Sequence, residues 1–223
     1  MSNEFLFVLQ ASLIGIGLLA SLRFSKEALI TFIAIQAIAA NIFVVKQISF
    51  FGLNATAADT YAIGCMLGFN LLQEYYGKET TRFAVIISFF VAIFFTLCSQ
   101  IHLWYIPSSS DVTHDAFVRI LAPNLRIVAA SLSTYFIVQL FDMQLYALLK
   151  AHFNNRFYIL RNWSSVALSQ LLDTLLFSFL GLYGIVSHLW SIIIVSYTIK
   201  LAVLLLSTPF LLLARRVMQQ TRT

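Results

Sequence analysis

RIVAASLSTYFIVQLFDMQLYALLK, the stretch from Arg126 to Lys150, has one charged residue between its basic ends, Asp142. At about 1.5 Å of rise per helical residue, Ile127 to Leu149 is long enough to cross the roughly 30 Å hydrocarbon core of a bilayer. The run is too long for an ordinary strand and lacks the apolar–polar alternation of a membrane barrel. It reads as a membrane-spanning helix with Ser131, Ser133, Thr134, Tyr135, Gln139 and Asp142 set into it.

Six more runs of the same kind flank it: Phe5 to Leu22, Ala28 to Val45, Ala57 to Tyr76, Phe83 to Trp104, Ser164 to Ile185 and Ser191 to Ala214. Of the 223 residues, 60% are hydrophobic and 10% charged. Soluble domains are about 45–50% apolar and about 25% charged, so this chain has too few polar side chains to cover a water-facing globule. That excludes a soluble enzyme, a disordered regulator and a secreted disulfide scaffold. Cys65 and Cys98 both lie in apolar runs, which gives no disulfide framework and no zinc spacing.

The first run is the weakest. It is short and follows Glu4 with no basic region before it, which argues against a cleaved signal peptide. Its Gly15-Ile16-Gly17-Leu18-Leu19-Ala20 is a degenerate dinucleotide fingerprint without the strand–helix context, so it reads as close helix packing.

Loop charges orient the bundle. One side carries Arg23, Lys26, Lys78, Arg82, Lys150, Arg156 and Arg161, with Arg215, Arg216 and Arg222 in the tail, ten in all; the other carries Lys46, Arg119 and Arg126. Basic residues favour the cytoplasmic side, so the C-terminus is expected in the cytoplasm. The remaining basic residue, Lys200, lies within a span. The basic residues form no stripe, so no nucleic-acid partner is expected.

Polar side chains at membrane depth carry the functional information, because an ionised group there costs roughly 2.5–3.5 kcal/mol on the lenient insertion scale. Asn70, Gln73 and Glu74 share one helical face, and Glu74 is close enough to the cytoplasmic end to snorkel. Gly64-x-x-x-Gly68 in the same run invites a close neighbour, and Asp59 at its outer end reads as solvated. The pattern Ser-x5-Gln-x2-Asp occurs as Ser133/Gln139/Asp142 and as Ser164/Gln170/Asp173, on helices running in opposite directions. Such a repeat is one mark of an inverted pair. Lys200 is too deep to snorkel easily, and Asp173 is its natural partner, either as a structural ion pair or as a substrate or proton site. Pro209 predicts a kink whose freed carbonyls would be offered to a neighbour. Gln36 and Asn41 either bond between helices or face a cavity. Asp111, His114 and Asp115 read as a solvated loop with a short amphipathic piece around Phe117 to Leu121.

No catalytic or nucleotide-binding motif is present, and no soluble stretch is long enough for an ATPase domain. The chain is not expected to be an enzyme, and no cofactor or metal is expected. A lining of carboxylates, amides, hydroxyls, aromatics and one lysine suits a small, planar, polar solute.

The stretch Arg126-Ile-x-x-Ala-Ser131-x-x-x-Tyr135-x-x-x-Gln139-x-x-Asp142 resembles the signature helix of bacterial queuosine precursor transporters, in the vitamin uptake transporter group. Asn41, Glu74-Tyr-Tyr-Gly77-Lys78, Ser169-x3-Asp173-Thr174 and Tyr197-x-x-Lys200 with Pro209 extend the resemblance from about Ala28 to Leu211. It implies an all-α integral membrane protein with six core transmembrane helices, Phe5 to Leu22 being an extra N-terminal helix. The expected organisation is an N-terminal helix and loop over 1–27, a transporter core over 28–214 and a basic tail over 215–223.

The resemblance further implies import of a 7-deazaguanine base across the bacterial inner membrane for tRNA modification. Asn41, Asn70, Glu74, Tyr135, Gln139, Asp142, Gln170, Asp173, Tyr197 and Lys200 are the substrate-binding candidates. Asp142 and Asp173 would accept from the N–H edge of the base, the amides would orient it, and Tyr135 or Tyr197 would stack on it. Lys200 would balance Asp173. Asn70 stands where members usually carry Asp, and a Pro near Ile63 is absent, which leaves a precursor or queuine itself as cargo. The alternative is the substrate-binding subunit of a multi-component ATP-driven vitamin transporter. The lipid bilayer is the other expected partner, and a homo-oligomer stays open.

Overall fold

In a computed structural model, which describes residues 2–50, 53–56, 58–122, 125–184 and 189–220, the expected spans form one helical bundle. The helices are α1 (Asn3–Phe24), α2 (Lys26–Phe43), α3 (Asp59–Tyr76), α4 (Lys78–Leu103), α5 (His114–Leu121), α6 (Leu125–His152), α7 (Tyr158–Phe177), α8 (Leu189–Leu206) and α9 (Thr208–Gln220). A π-helical turn, Ser178–Leu182, prolongs α7. Two expected span ends, Ala57 and Ile185, and the tail residue Arg222 lie outside the described residues.

Local signals explain where the helices stop. The Ser25 hydroxyl accepts from the Ala28 amide at 3.1 Å while the Ser25 amide donates to the Ser21 carbonyl at 3.2 Å, so one serine closes α1 and opens α2. Gly77 joins α3 to α4 with φ +87°, which favours glycine. Pro209 lies in the first turn of α9, where its missing N–H leaves no bond unmade. At this break the Ser207 amide and hydroxyl both donate to the Val203 carbonyl, at 3.0 and 2.8 Å. The short amphipathic piece forms α5, with none of its residues buried. Ahead of it, the Thr113 hydroxyl and amide donate to Asp111, both at 2.7 Å, and hold its carboxyl below the usual carboxylate range.

Among the described residues, six helical runs are long and apolar enough to cross a membrane: α1, α2, α4, α6, α7 with its π turn, and the α8–α9 run. The N-terminal segment is among them. The seventh expected span, α3, is not, because its polar residues dilute it. Its placement resolves that conflict. Of its 18 residues, 13 are buried, and it packs against α1, α2, α4, α6, α7 and α8, so the other helices shield its amides from lipid.

A two-stranded antiparallel hairpin, β1 (Gln47–Phe50) with β2 (Leu53–Thr56), precedes α3 and was not expected from the sequence. It packs on α1 and α8. Each strand has only four residues, too few for a periodic signal.

The glycines of α3 form the seam for α1 and α2. A Cβ at Gly64 would strike the Gln36 amide oxygen and lie 2.6 Å from Ile14; at Gly68 it would lie 2.6 Å from Ile33. Gly64→Val is therefore expected to lower thermal stability in detergent by about 1–3 kcal/mol, the usual range for overpacking. An unchanged melting temperature would contradict this seam.

Candidate functional site

Three polar layers stack along α3, and each crosses to other helices. The first, at the basic end, is built on Glu74. Its carboxylate accepts from Arg161 Nη1 at 3.2 Å and Nη2 at 3.1 Å and from the Tyr146 hydroxyl at 2.9 Å. Lys150 lies 3.1 Å from the same carboxylate and 3.1 Å from the Glu74 carbonyl. The Arg161 side chain is fully buried, with its guanidinium 5.6 Å from the Tyr146 ring centre and 6.0 Å from that of Tyr158. Two cations offset one carboxylate, and the layer clamps α3, α6 and α7 together. Glu74, a candidate for binding substrate, is fully engaged here. Arg161, counted in sequence among the loop charges, is a core residue, because α7 begins at Tyr158 and carries Arg161 inward.

The second layer centres on Asp142 of α6. Ser165 and Ser169 of α7 donate to its Oδ1 at 2.6 and 2.7 Å. They lie four apart, on one face, as this grip requires. Oδ2 is buried without a partner. Around it the same condition recurs: both polar atoms of Asn70, Oε1 of Gln139 and Oε1 of Gln170 are buried and unmatched, and these three side chains and Asp142 are at most 4% exposed.

Two contacts bracket Asn70 along α3. On one side Gln170 Nε2 lies 2.9 Å from Met66 Sδ; on the other Gln73 Nε2 donates to the Met143 carbonyl at 2.9 Å. The face carrying Asn70 is thus joined to α6 beside Asp142 and to α7 at Gln170. A buried polar atom left unmatched costs about 1–3 kcal/mol, so a group of them calls for a partner that supplies the missing bonds. The unmatched set holds four acceptors and one amide donor, which suits a solute rich in N–H groups.

An open cleft of about 380 Å³ lies at the basic end, beside Gln73. Gln73, Lys78, Lys150, Asn154 and Asn155 are among its lining. Gln73 connects it to Met143, the neighbour of Asp142.

The third layer is the ion pair expected from the sequence. Lys200 Nζ of α8 lies 2.6 Å from Asp173 Oδ2 of α7 and 3.2 Å from the Thr174 hydroxyl. Asp59 corrects the sequence reading: it is 7% exposed, not solvated, with α8 and β2 packed nearby, and the Thr56 amide and hydroxyl hydrogen-bond to it. The hairpin that shields it had no sequence signal, so neither did its burial.

The remaining candidates each make one contact between helices. Asn41 accepts from Ser131 at 3.1 Å, the Tyr135 hydroxyl donates to Ser88 at 2.9 Å, and the Tyr197 hydroxyl donates to the Ala167 carbonyl at 3.3 Å. Of the repeated Ser/Gln/Asp pattern, both glutamines face the interior, whereas Ser133 is exposed and Ser164 half-buried. The serine that grips Asp142 beside Ser169 is Ser165, one position on from the repeat. Arg126 caps the π turn, donating to the carbonyls of Leu180 at 2.9 Å and Tyr183 at 2.8 Å.

Residues 56–214 match the family model described as "Putative vitamin uptake transporter". The chain is 33% identical over 198 residues to a Bacillus subtilis (strain 168) protein named "Probable queuosine precursor transporter", an alignment covering 86% of each chain. No solved structure matches.

Proposed function

The chain belongs to the vitamin uptake transporter family, and from that premise we propose that it imports a queuosine precursor or queuine, a 7-deazaguanine base, for tRNA modification. The observation that carries this reading is the set of unmatched acceptors on α3, α6 and α7, led by Asp142 Oδ2. A guanine-type edge presents adjacent ring and amino N–H groups, and a buried carboxylate oxygen is a strong acceptor for them. Gln139 and Gln170 add two acceptors, and Asn70 supplies a donor for a carbonyl. Glu74, Asn41, Tyr135 and Tyr197 act from outside this set, by holding the helices that form it.

The membrane is the bacterial inner membrane in this reading, with the C-terminus cytoplasmic. Removing Arg161 from the loop count leaves nine basic residues against three, and the bias stands. The 380 Å³ cleft then opens to the cytoplasm.

The test is uptake of labelled base by cells that cannot make the precursor and express this chain alone. Uptake is expected, with competition among guanine, the cyano precursor, the aminomethyl precursor and queuine identifying the cargo. No uptake by the chain alone would point instead to a substrate-binding subunit needing separate ATPases, which the match to a named transporter does not favour. Ser165 and Ser169 act as positioning residues for Asp142. Replacing either by Ala is expected to raise the KM for uptake about tenfold, the loss of one hydrogen bond to a charged group, with little change in maximal rate. Ser169→Thr keeps the hydroxyl and should restore most of the affinity; wild-type KM values in both alanine variants would remove the serines from recognition.

A further inference from the structure

Asp59 is a buried carboxylate that the binding reading does not use. The charged side chains acting on it are Lys200 from α8 and Asp173 from α7, and β2 adds the hydrogen bonds of Thr56. Lys200 and Asp173 both act on Asp59 through their charge, and the Lys200 ammonium is paired with Asp173, at 2.6 Å. With all three ionised the cluster has a net charge of −1 in a shielded place, where an uncompensated charge is expensive. One added proton makes it neutral. A metal ion fits less well, because the lysine already serves as the cluster's cation. The described residues also hold no group of three or more His, Cys, Asp or Glu side chains suited to a metal.

The cluster is wired to the recognition layer. Lys200 donates to the Thr174 hydroxyl at 3.2 Å, and that hydroxyl donates to the Gln170 carbonyl at 2.8 Å. Gln170 in turn reaches Met66, one turn from Asn70. A change in how strongly Lys200 is drawn toward α3 or α7 therefore acts on the helix that presents Gln170.

We propose that Asp59, beside the Lys200–Asp173 pair, is the proton-binding site that couples solute entry to a proton gradient. One proton from the hairpin end binds the Asp59 carboxylate and takes the cluster from −1 to 0. The same proton leaves to the cytoplasm when the solute is released. Lys200 stays protonated and Asp173 stays ionised throughout. The proposal rests on the transport reading above, and the experiment separates the two.

The full chain is reconstituted in liposomes and given labelled queuine and the labelled aminomethyl precursor. Exchange of external label for internal unlabelled base, with no gradient, reports transport alone. Accumulation under an outside-acid gradient reports coupling; one pH unit supports about tenfold accumulation for one proton per solute. Wild-type protein is expected to exchange and to accumulate, with accumulation abolished by a protonophore. Asp59→Asn, a neutral isostere, is expected to keep exchange within about threefold and to lose gradient-driven accumulation. Exchange without proton-driven accumulation in the wild type, accumulation driven by sodium instead, or an Asp59→Asn protein that still accumulates would each overturn the coupling site. No exchange by the wild type would overturn the transport reading and this one with it. Should Asp59→Asn not fold, a pH dye with wild-type protein in weakly buffered detergent reads the same event. Uptake of about one proton per bound base is expected, and none refutes it.

Discussion

Asp142→Ala lowers uptake of the deazaguanine base by about two orders of magnitude, the largest loss expected from any one residue in the recognition layer. The estimate follows from two hydrogen bonds to an ionised acceptor at about 1.5 kcal/mol each. The sharper variant is Asp142→Asn. It keeps the shape and can still accept from Ser165 and Ser169, now 2.6 and 2.7 Å from Oδ1. Its other atom becomes an NH2, which places a donor against the donors of the base. The asparagine variant is therefore expected to fold normally and to fail in binding nearly as badly as alanine. Calorimetric titration of the purified proteins with the base, alongside cell uptake, checks this. Retention of binding within threefold by the asparagine variant would remove Asp142 from recognition.

The second large effect concerns stability. Arg161→Ala is expected to cost about 3–5 kcal/mol, the range for removing one partner of a buried ion pair. Its side chain is fully buried and makes two bonds to Glu74. Lys150 and Tyr146 remain on Glu74, but neither fills the volume beside the two tyrosine rings. Low yield and a strongly reduced melting temperature in detergent are the readout. Arg161→Met combined with Glu74→Gln removes both charges and keeps much of the volume, and it should recover most of the loss. A single alanine variant within 1 kcal/mol of wild type would show that the clamp contributes little. The same pair of variants separates a structural Glu74 from one that touches solute: uptake by the folded double variant supports the structural role.

Much of this was legible in the chain. The apolar runs are long, and polar residues inside them are rare enough that each can be weighed alone. Asp173 and Lys200 lie in neighbouring spans at similar depth, so their pairing follows from the expense of leaving either charge alone. Asn70, Gln139, Asp142 and Gln170 could be picked out as inward-facing for the same reason. What escaped notice depended on contacts between distant segments. Ser165 looks like any small helical residue until α6 is laid against α7. Arg161 stands near a helix start, where basic residues usually meet lipid headgroups, and only the packing of α3, α6 and α7 draws it inside. Asp59 is hidden by a hairpin whose strands are too short to announce themselves.

The enclosure of α3 has a consequence for how the chain enters a membrane. A segment with Asp59, Asn70, Gln73 and Glu74 is a poor substrate for independent partitioning from a translocation channel into lipid. It must wait beside α1 and α2, which offer the surface that Gly64 and Gly68 fit, and be released as part of a preassembled group. Biogenesis, then, is where the glycine seam matters first, because it lets a helix too polar to insert alone be delivered by its neighbours.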